Sequence, residues 1–296
     1  MVYSFYTRTP AFGYVGPGDI VPGAVGWWGL RAYSHATVNT KAVRIRRLSD
    51  NLEMDFNTRS NGNLDNANIS GFLSGTSGAV VKLYDQVNGY DVAQATAGNQ
   101  PTFLLNAIGS FSAVQFIRAN STVLSLVSSA FNKGNNIAQP WTTSQVSSNY
   151  LTTTTGTYSP AGITGDLGSD SFGVYFDNNV THKLDLYSGG TGLEPSTAVS
   201  IGTFYALQGV ANGASSDINV DGVPTTGNSG SLPFGSNTIA IGQDGHFANW
   251  SELIFLETGV WGKAFAASDS LSMSNNQQAY WGFVKSGYTG PLDIIP

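Results

Sequence analysis

"VVKLYDQVNGYDVAQATAGNQPTF", residues 80–103, opens as a strand and abandons it abruptly. Val80 to Tyr84 is β-branched and aromatic, the composition that fits a pleated, half-buried surface. It runs into Asp85-Gln86, crosses a turn at Asn88-Gly89 and ends on Pro101. A strand that stops on side chains able to hydrogen-bond nearby backbone implies a sharp, specified turn. Working outward, the same grammar of short strands and polar turns recurs along the chain. "SAVQFI" sets Val114 and Phe116 on one face, and "FGVYFD" does the same for Phe172, Val174 and Phe176.

Composition agrees with an all-β chain. Of 296 residues, 41% are hydrophobic and 12% aromatic, and 36 are glycine. Charged residues make up 11%, against about 25% in an average soluble domain. Polarity is carried by Ser, Thr, Asn and Gln. With no cysteine, disulfides, thiolate metal sites and cysteine nucleophiles are excluded. A net charge of −6 with 13 basic residues argues against nucleic acid as a partner. No run approaches the roughly 18 apolar residues of a membrane-spanning helix, so no membrane insertion is expected. The first residues, "MVYSFYTRTPAFGYVGPGDIVPG", lack the basic and apolar regions of a signal peptide. "KAVRIRRLSD" (41–50) reads as a strand with Val43 and Ile45 inward and Arg44 and Arg46 outward. Those arginines are expected to pair with acids such as Asp50, Asp55 or Asp85; phosphate binding is the alternative.

Residues 1–26 read as an irregular attachment arm, with Pro10, Pro17 and Pro22 disfavouring helix and central strand. Its aromatics Tyr3, Phe5, Tyr6, Phe12 and Tyr14 are expected to dock, on a neighbouring subunit or back on their own domain. Strands are expected at 42–48, 79–84, 112–117, 122–127, 171–177, 181–187, 216–220, 237–242 and 251–258. Asp221-Gly222 signals a hairpin. A helix is expected from an N-cap at Ser268 or Asp269 to a stop at Gly282, and a shorter one near 64–73. The expected architecture is a sandwich of two antiparallel sheets over 27–283, with one or two short helices and a tail at 284–296.

Several segments together resemble a known module: "WWGLRAYS" (27–34), "KAVRIRRLSDNLEMDF" (41–56), "GNLDNANISGFLSG" (62–75) and the opening stretch through Phe103. They are similar to the concanavalin A-like, laminin-G-like jelly roll of the arabinofuranosidase B catalytic-domain type, as found in tailed-phage structural proteins. "FSAVQFIRANSTVLSL" (111–126), "INVDGV" (218–223) and the terminal strand and helix (251–283) continue the resemblance less specifically. In that family Tyr-Asp-Gln is usually followed by Ser-Gly-x-Gly-x-Asp. Here the turn reads Val87-Asn88-Gly89-Tyr90-Asp91. The resemblance implies that Asp85, Gln86 and Asp91 build a structural turn, with the Ala-Thr-Gln run lying across the sandwich.

The family's chemistry does not transfer. Its nucleophile region is glycine-rich, follows cysteine-containing segments and carries a glutamate. The middle of this chain has Asp166, Asp170 and Asp177 but no glutamate. Those aspartates read as solvated loop carboxylates, with Ca2+ binding the alternative; no other cofactor is implied. Glu252 and Glu257 read as structural. His35, His182 and His246 are far apart and fit no catalytic motif. The resemblance implies a non-enzymatic virion surface structural protein, whether capsid decoration, head fibre or tail fibre, with a domain able to bind glycans. Its expected partners are a major capsid or tail protein, further copies of itself as a homo-oligomer, and a host glycan. It would be made in the host cytoplasm. The alternatives are a secreted, extracellular carbohydrate-binding module or a divergent arabinofuranosidase-like glycoside hydrolase. The glycan-binding candidates are Trp27, Trp28, Trp141 and Trp250.

Overall fold

A computed structural model describes residues 13–127, 131–150, 158–177, 183–190, 192–196, 198–244 and 249–283. In chain order its strands are β1 (Ala24–Gly29), β2 (Lys41–Arg47), β3 (Glu53–Asn57), β4 (Gly78–Leu83), β5 (Val92–Ala93), β6 (Thr102–Ile108), β7 (Phe111–Phe116), β8 (Leu124–Val127) and β9 (Trp141–Asn149). They continue as β10 (Tyr158–Pro160), β11 (Ile163–Asp166), β12 (Ser171–Asp177), β13 (Lys183–Tyr187), β14 (Tyr205–Ala211), β15 (Ser216–Val220), β16 (Val223–Gly227), β17 (Thr238–Ile241) and β18 (Leu253–Trp261). The helices are α1 (Pro17–Ile20), α2 (Asn66–Phe72) and α3 (Ala267–Trp281). Every strand expected from the sequence is present.

The strands form two facing antiparallel layers, the expected jelly-roll sandwich. One runs β16-β15-β14-β9-β18-β1. The other runs β3-β2-β4-β5-β8-β17-β11-β12-β13. The hairpin β6–β7 stitches them together, β6 bonding β4 and β7 bonding β18. Between the layers lies one core: Val146, Leu207 and Phe255 from the first, Val80, Phe172, Leu184 and Ile239 from the second. Gly209 on β14 lets the layers approach closely; a Cβ there would meet Val174 and Leu186 at 2.6 and 2.7 Å. At the β15–β16 hairpin Asp221 and Gly222 both take positive φ, 54° and 92°, as a two-residue turn with matching twist requires.

α3 packs on β14. More than half of its buried side is polar: Ser270, Ser274, Asn276, Gln277 and Gln278 are all buried, beside Met273, Ala279, Tyr280 and Trp281. They meet polar groups of the sheet, Gln277 Nε2 donating to Ser144 Oγ at 3.1 Å and Ser274 Oγ to Gln208 Oε1 at 2.8 Å. The helix stops at Gly282 in the left-handed conformation, as expected. Its start differs: Ala266 is the cap position and Asp269 reaches back to accept its N–H at 3.1 Å.

The N-terminal boundary also differs. β1 begins at Ala24 and pairs with β18, so residues before 27 belong to the sandwich. Tyr14 donates its hydroxyl to Ala32 O at 2.5 Å and meets the Tyr280 ring edge-on at 6.0 Å. Asn276 Nδ2 holds Val15 O at 2.9 Å. The described part of the arm therefore folds back on its own domain, where Tyr14 leaves water without a partner chain. Tyr3, Phe5, Tyr6, Phe12 and the 284–296 tail lie outside the described residues.

Candidate functional site

The turn after β4 is a knot around one carboxylate. Asp85 Oδ1 accepts the N–H groups of Trp27 (2.8 Å) and Val87 (3.1 Å). Its Oδ2 accepts those of Asn88 and Tyr90, both at 3.0 Å. Burial pushes this carboxyl up although all four donors oppose the shift. Gln86 bridges two strand ends, accepting from Tyr33 N at 2.8 Å and donating to Arg31 O at 2.9 Å. Asp91 accepts from Asp85 N at 3.1 Å and pairs with Lys82 at 3.2 Å. These residues tie β1 to β4 and carry no exposed chemistry. Asp85 does not pair with the β2 arginines. Arg44 takes Asp55 at 2.6 Å, Arg47 takes Asp50, and Arg46 bonds Gln100 at 2.7 Å. Arg44 and Arg47 are neutralised locally and Arg46 is held by the neutral amides of Gln100 and Asn51, which leaves little for phosphate.

The tryptophan candidates are corrected. Trp27, Trp28 and Trp141 are fully buried and offer a sugar no surface. Trp28 packs near Phe131, Trp141 against Phe234, and Trp27 against Tyr33 and Trp261. Trp250 is partly exposed and bridges to Gln243. Glu257 is buried in an ion pair with Arg31, Oε2 to Nε 2.5 Å and Oε1 to Nη2 2.8 Å. Glu252 accepts from Arg118 N at 2.7 Å. Both glutamates hold structure. Asp166 is not a solvated loop residue: it lies buried in β11 and accepts from Gly168 N at 2.6 Å. Among the described residues no three of the His, Asp and Glu side chains gather as a cation cage. His35 pairs with Asp19, and His182 and His246 lie outside the described residues.

A large cleft, about 600 Å³, opens beside β10, β12 and β13. Alternation builds it. Phe172, Val174 and Phe176 of β12 and Leu184 and Leu186 of β13 face the core. The intervening residues face the other way, and the register sets Tyr175 opposite Asp185 and Gly173 opposite Tyr187. Tyr158 of β10 meets the Tyr175 ring edge-on at 6.3 Å. Glu194, Asp244 and Asn249 complete the lining.

Its floor is polar and unsatisfied. Tyr175 Oη and Asp185 Oδ1 are buried and have no hydrogen-bond partner among the described residues. Burial pushes the Asp185 carboxyl up to about 7, and the negative charges of Glu194 and Asp177 add to this. Gly192 lets the loop lie against that carboxyl; a Cβ there would meet Asp185 Oδ1 at 2.1 Å. The other acids are engaged: Glu194 with Lys183 at 3.6 Å, and Asp244 Oδ2 with Asn249 Nδ2 at 2.7 Å. Composition alone did not single out Tyr158, Tyr175, Tyr187, Asp185 and Asp244. The available signal was the outward half of "FGVYFD" and "KLDLY", which alternates tyrosine and aspartate on neighbouring strands.

No family model matches the chain, and no curated protein matches its sequence. Among solved structures, an arabinofuranosidase complexed with arabinofuranosyl-α-1,2-xylobiose superposes with a TM-score of 0.69. It is 16% identical over 88% of this chain and 64% of its own. A GH54 α-L-arabinofuranosidase soaked with a cyclic sulfate inhibitor gives 0.67 at 16% identity over the same shares. The chain thus spans 64% of the length of these enzymes. At this identity the likeness is one of fold: the chain has the β-sandwich jelly roll of arabinofuranosidase-type glycoside hydrolases.

Proposed function

We propose that this chain is a structural protein of a virion surface that holds a glycan in the tyrosine-lined cleft without hydrolysing it. The observation that carries glycan binding is the pair of buried, unpartnered polar atoms, Tyr175 Oη and Asp185 Oδ1, on the floor of that cleft. Buried polar groups are normally hydrogen-bonded, and a sugar supplies hydroxyls that both donate and accept. The rings of Tyr158 and Tyr187 offer apolar surface with polar tips, suited to a sugar's face. The virion setting rests on the family resemblance and on the neutral, glycine-rich composition. Calorimetric titration with arabinofuranosyl-α-1,2-xylobiose, then with a panel of bacterial surface glycans, tests the binding. Tyr175→Phe and Tyr187→Ala should each weaken it; binding that survives both contradicts the assignment. Mass spectrometry of purified particles tests the setting, and absence of the chain from them contradicts it.

A second reading, a divergent glycosidase, is favoured by one observation. Burial raises the Asp185 carboxyl to about 7 in a cleft that also holds Asp244, so that two carboxyl groups line one cleft, as glycoside hydrolysis needs. Against it, Asn249 occupies Asp244, from its side chain at 2.7 Å and its backbone at 3.4 Å. Turnover of an aryl arabinofuranoside that disappears in Asp185→Asn would establish this second reading.

A further inference from the structure

A second crevice shares no residue with the tyrosine cleft. It lies between Leu30, the 59–67 segment, the β6–β7 turn at Ser110 and the end of α3, and holds about 180 Å³. Drug-sized pockets start near about 300 Å³, so this one suits a single small ring. Its apolar wall is Phe111, backed by the buried Trp281, ring centroids 5.1 Å apart and near perpendicular.

The polar groups left over in this crevice are donors. Trp281 is buried and its Nε1, which can only donate, has no partner among the described residues. Asn63 spends its Oδ1 on the Tyr280 hydroxyl at 2.6 Å, and Asn61 spends its Oδ1 on Asn63 N at 3.2 Å. Both amides therefore keep N–H groups to offer. Arg59 is half-exposed and only loosely held by Asp65, at 3.4 Å. Asn66 is engaged at both ends of its amide, donating to Ser110 O at 2.8 Å and accepting from Ser112 Oγ at 2.9 Å. No carboxylate lines the crevice, whereas the tyrosine cleft holds three: Asp185, Glu194 and Asp244. A guanidinium fork with amide and indole donors complements a carboxylate. The Phe111–Trp281 wall would be wasted on a bare inorganic ion.

We propose that this crevice is a separate site for an acidic sugar residue, its carboxylate on Arg59 and the asparagine amides and its ring against Phe111. The inference does not depend on the tyrosine cleft binding anything. The test is titration of the full chain with glucuronate, glucose, acetate and inorganic phosphate, followed by calorimetry and tryptophan fluorescence. Glucuronate should saturate, and Arg59→Ala should weaken it about 10- to 100-fold, the loss of a charge-assisted contact. Arg59→Lys keeps the charge without the fork and should fall between. Glucose and acetate, each lacking half of the recognition, should bind at least about tenfold more weakly. Tyr175→Phe, in the other cleft, should leave glucuronate affinity unchanged. Absent saturation, equal affinity in Arg59→Ala, phosphate or acetate binding as tight as glucuronate, or loss in Tyr175→Phe would each overturn the proposal.

Discussion

Asp185 is the residue whose environment speaks most directly to solution behaviour. Its carboxyl titrates near 7 when folded, against an ordinary 3.8. The fold therefore favours the protonated form. The associated stability is fully present below about pH 4 and is lost as pH rises through about 7. Asp185→Asn removes that dependence. The variant should melt several degrees above the parent at pH 8, with the advantage vanishing at pH 4. A shift of this size corresponds to on the order of 2–4 kcal/mol, since an open cleft admits some water. Parallel melting curves at the two pH values check it, and equal Tm differences at both would refute the assignment. Asp85, also pushed up by burial, matters for another reason: four backbone donors need its carboxylate. Asp85→Ala leaves those donors bare and should cost about 3 kcal/mol or more in urea unfolding. A loss under about 1 kcal/mol would mean that the turn does not depend on it.

At the scale of elements, β18 is the strand on which most depends. It changes neighbour along its length, pairing β7 up to Phe255 and β1 from Glu257, with a register shift against β9 between them. Glu257 stands at that change and reaches Arg31, while Gln277 of α3 donates to the same carboxylate at 3.0 Å. Burial works against the Arg31 charge, and the carboxylate more than offsets it, leaving the guanidinium firmly protonated. Glu257→Gln should destabilise by about 3–5 kcal/mol by stranding that cation, and Arg31→Met in the same chain should recover part of the loss. A double-mutant cycle measures the coupling, and additive effects would contradict it. The same elements show what was legible in the sequence. β12 was readable from Phe172, Val174 and Phe176, because one apolar face packs on the core. β9 was not: "WTTSQVSSN" has no apolar alternation, yet all nine positions are buried, with Ser144 meeting α3. Hydrogen bonds between side chains of a helix and a sheet leave no hydrophobic period, so α3 showed itself mainly through Gly282.

For the whole molecule, the turn at 85–91 was legible because its residues act on nearby backbone, and it led to the right fold. The cleft was not, because its lining comes from strands, a loop and Asn249 brought together by topology. The tryptophans misled for a related reason: Trp28 and Trp141 fill the main core and Trp27 a second apolar cluster with Tyr33 and Trp261, while Tyr158 and Tyr187 line the cleft. The N-terminus divides into two parts with different expected behaviour. Removing residues 2–24 takes away Tyr14 and the start of β1 and should lower the melting temperature. If the chain assembles on particles or as oligomers, as proposed, removing residues 2–12 should abolish that assembly. Scanning calorimetry and sizing chromatography separate the two; a 2–12 deletion that assembles like the full chain would rule out the arm as the attachment element.

The central claim is that the tyrosine cleft binds glycan and does not cleave it, and one calorimetric titration with product analysis tests it most directly. Arabinofuranosyl-α-1,2-xylobiose and the surface-glycan panel are titrated into the full chain, and the same samples are examined for released sugar. Saturable binding to at least one glycan, weakened by Tyr175→Phe, is expected, with every oligosaccharide recovered intact. Released sugar that disappears in Asp185→Asn, or no binding across the panel, would contradict it.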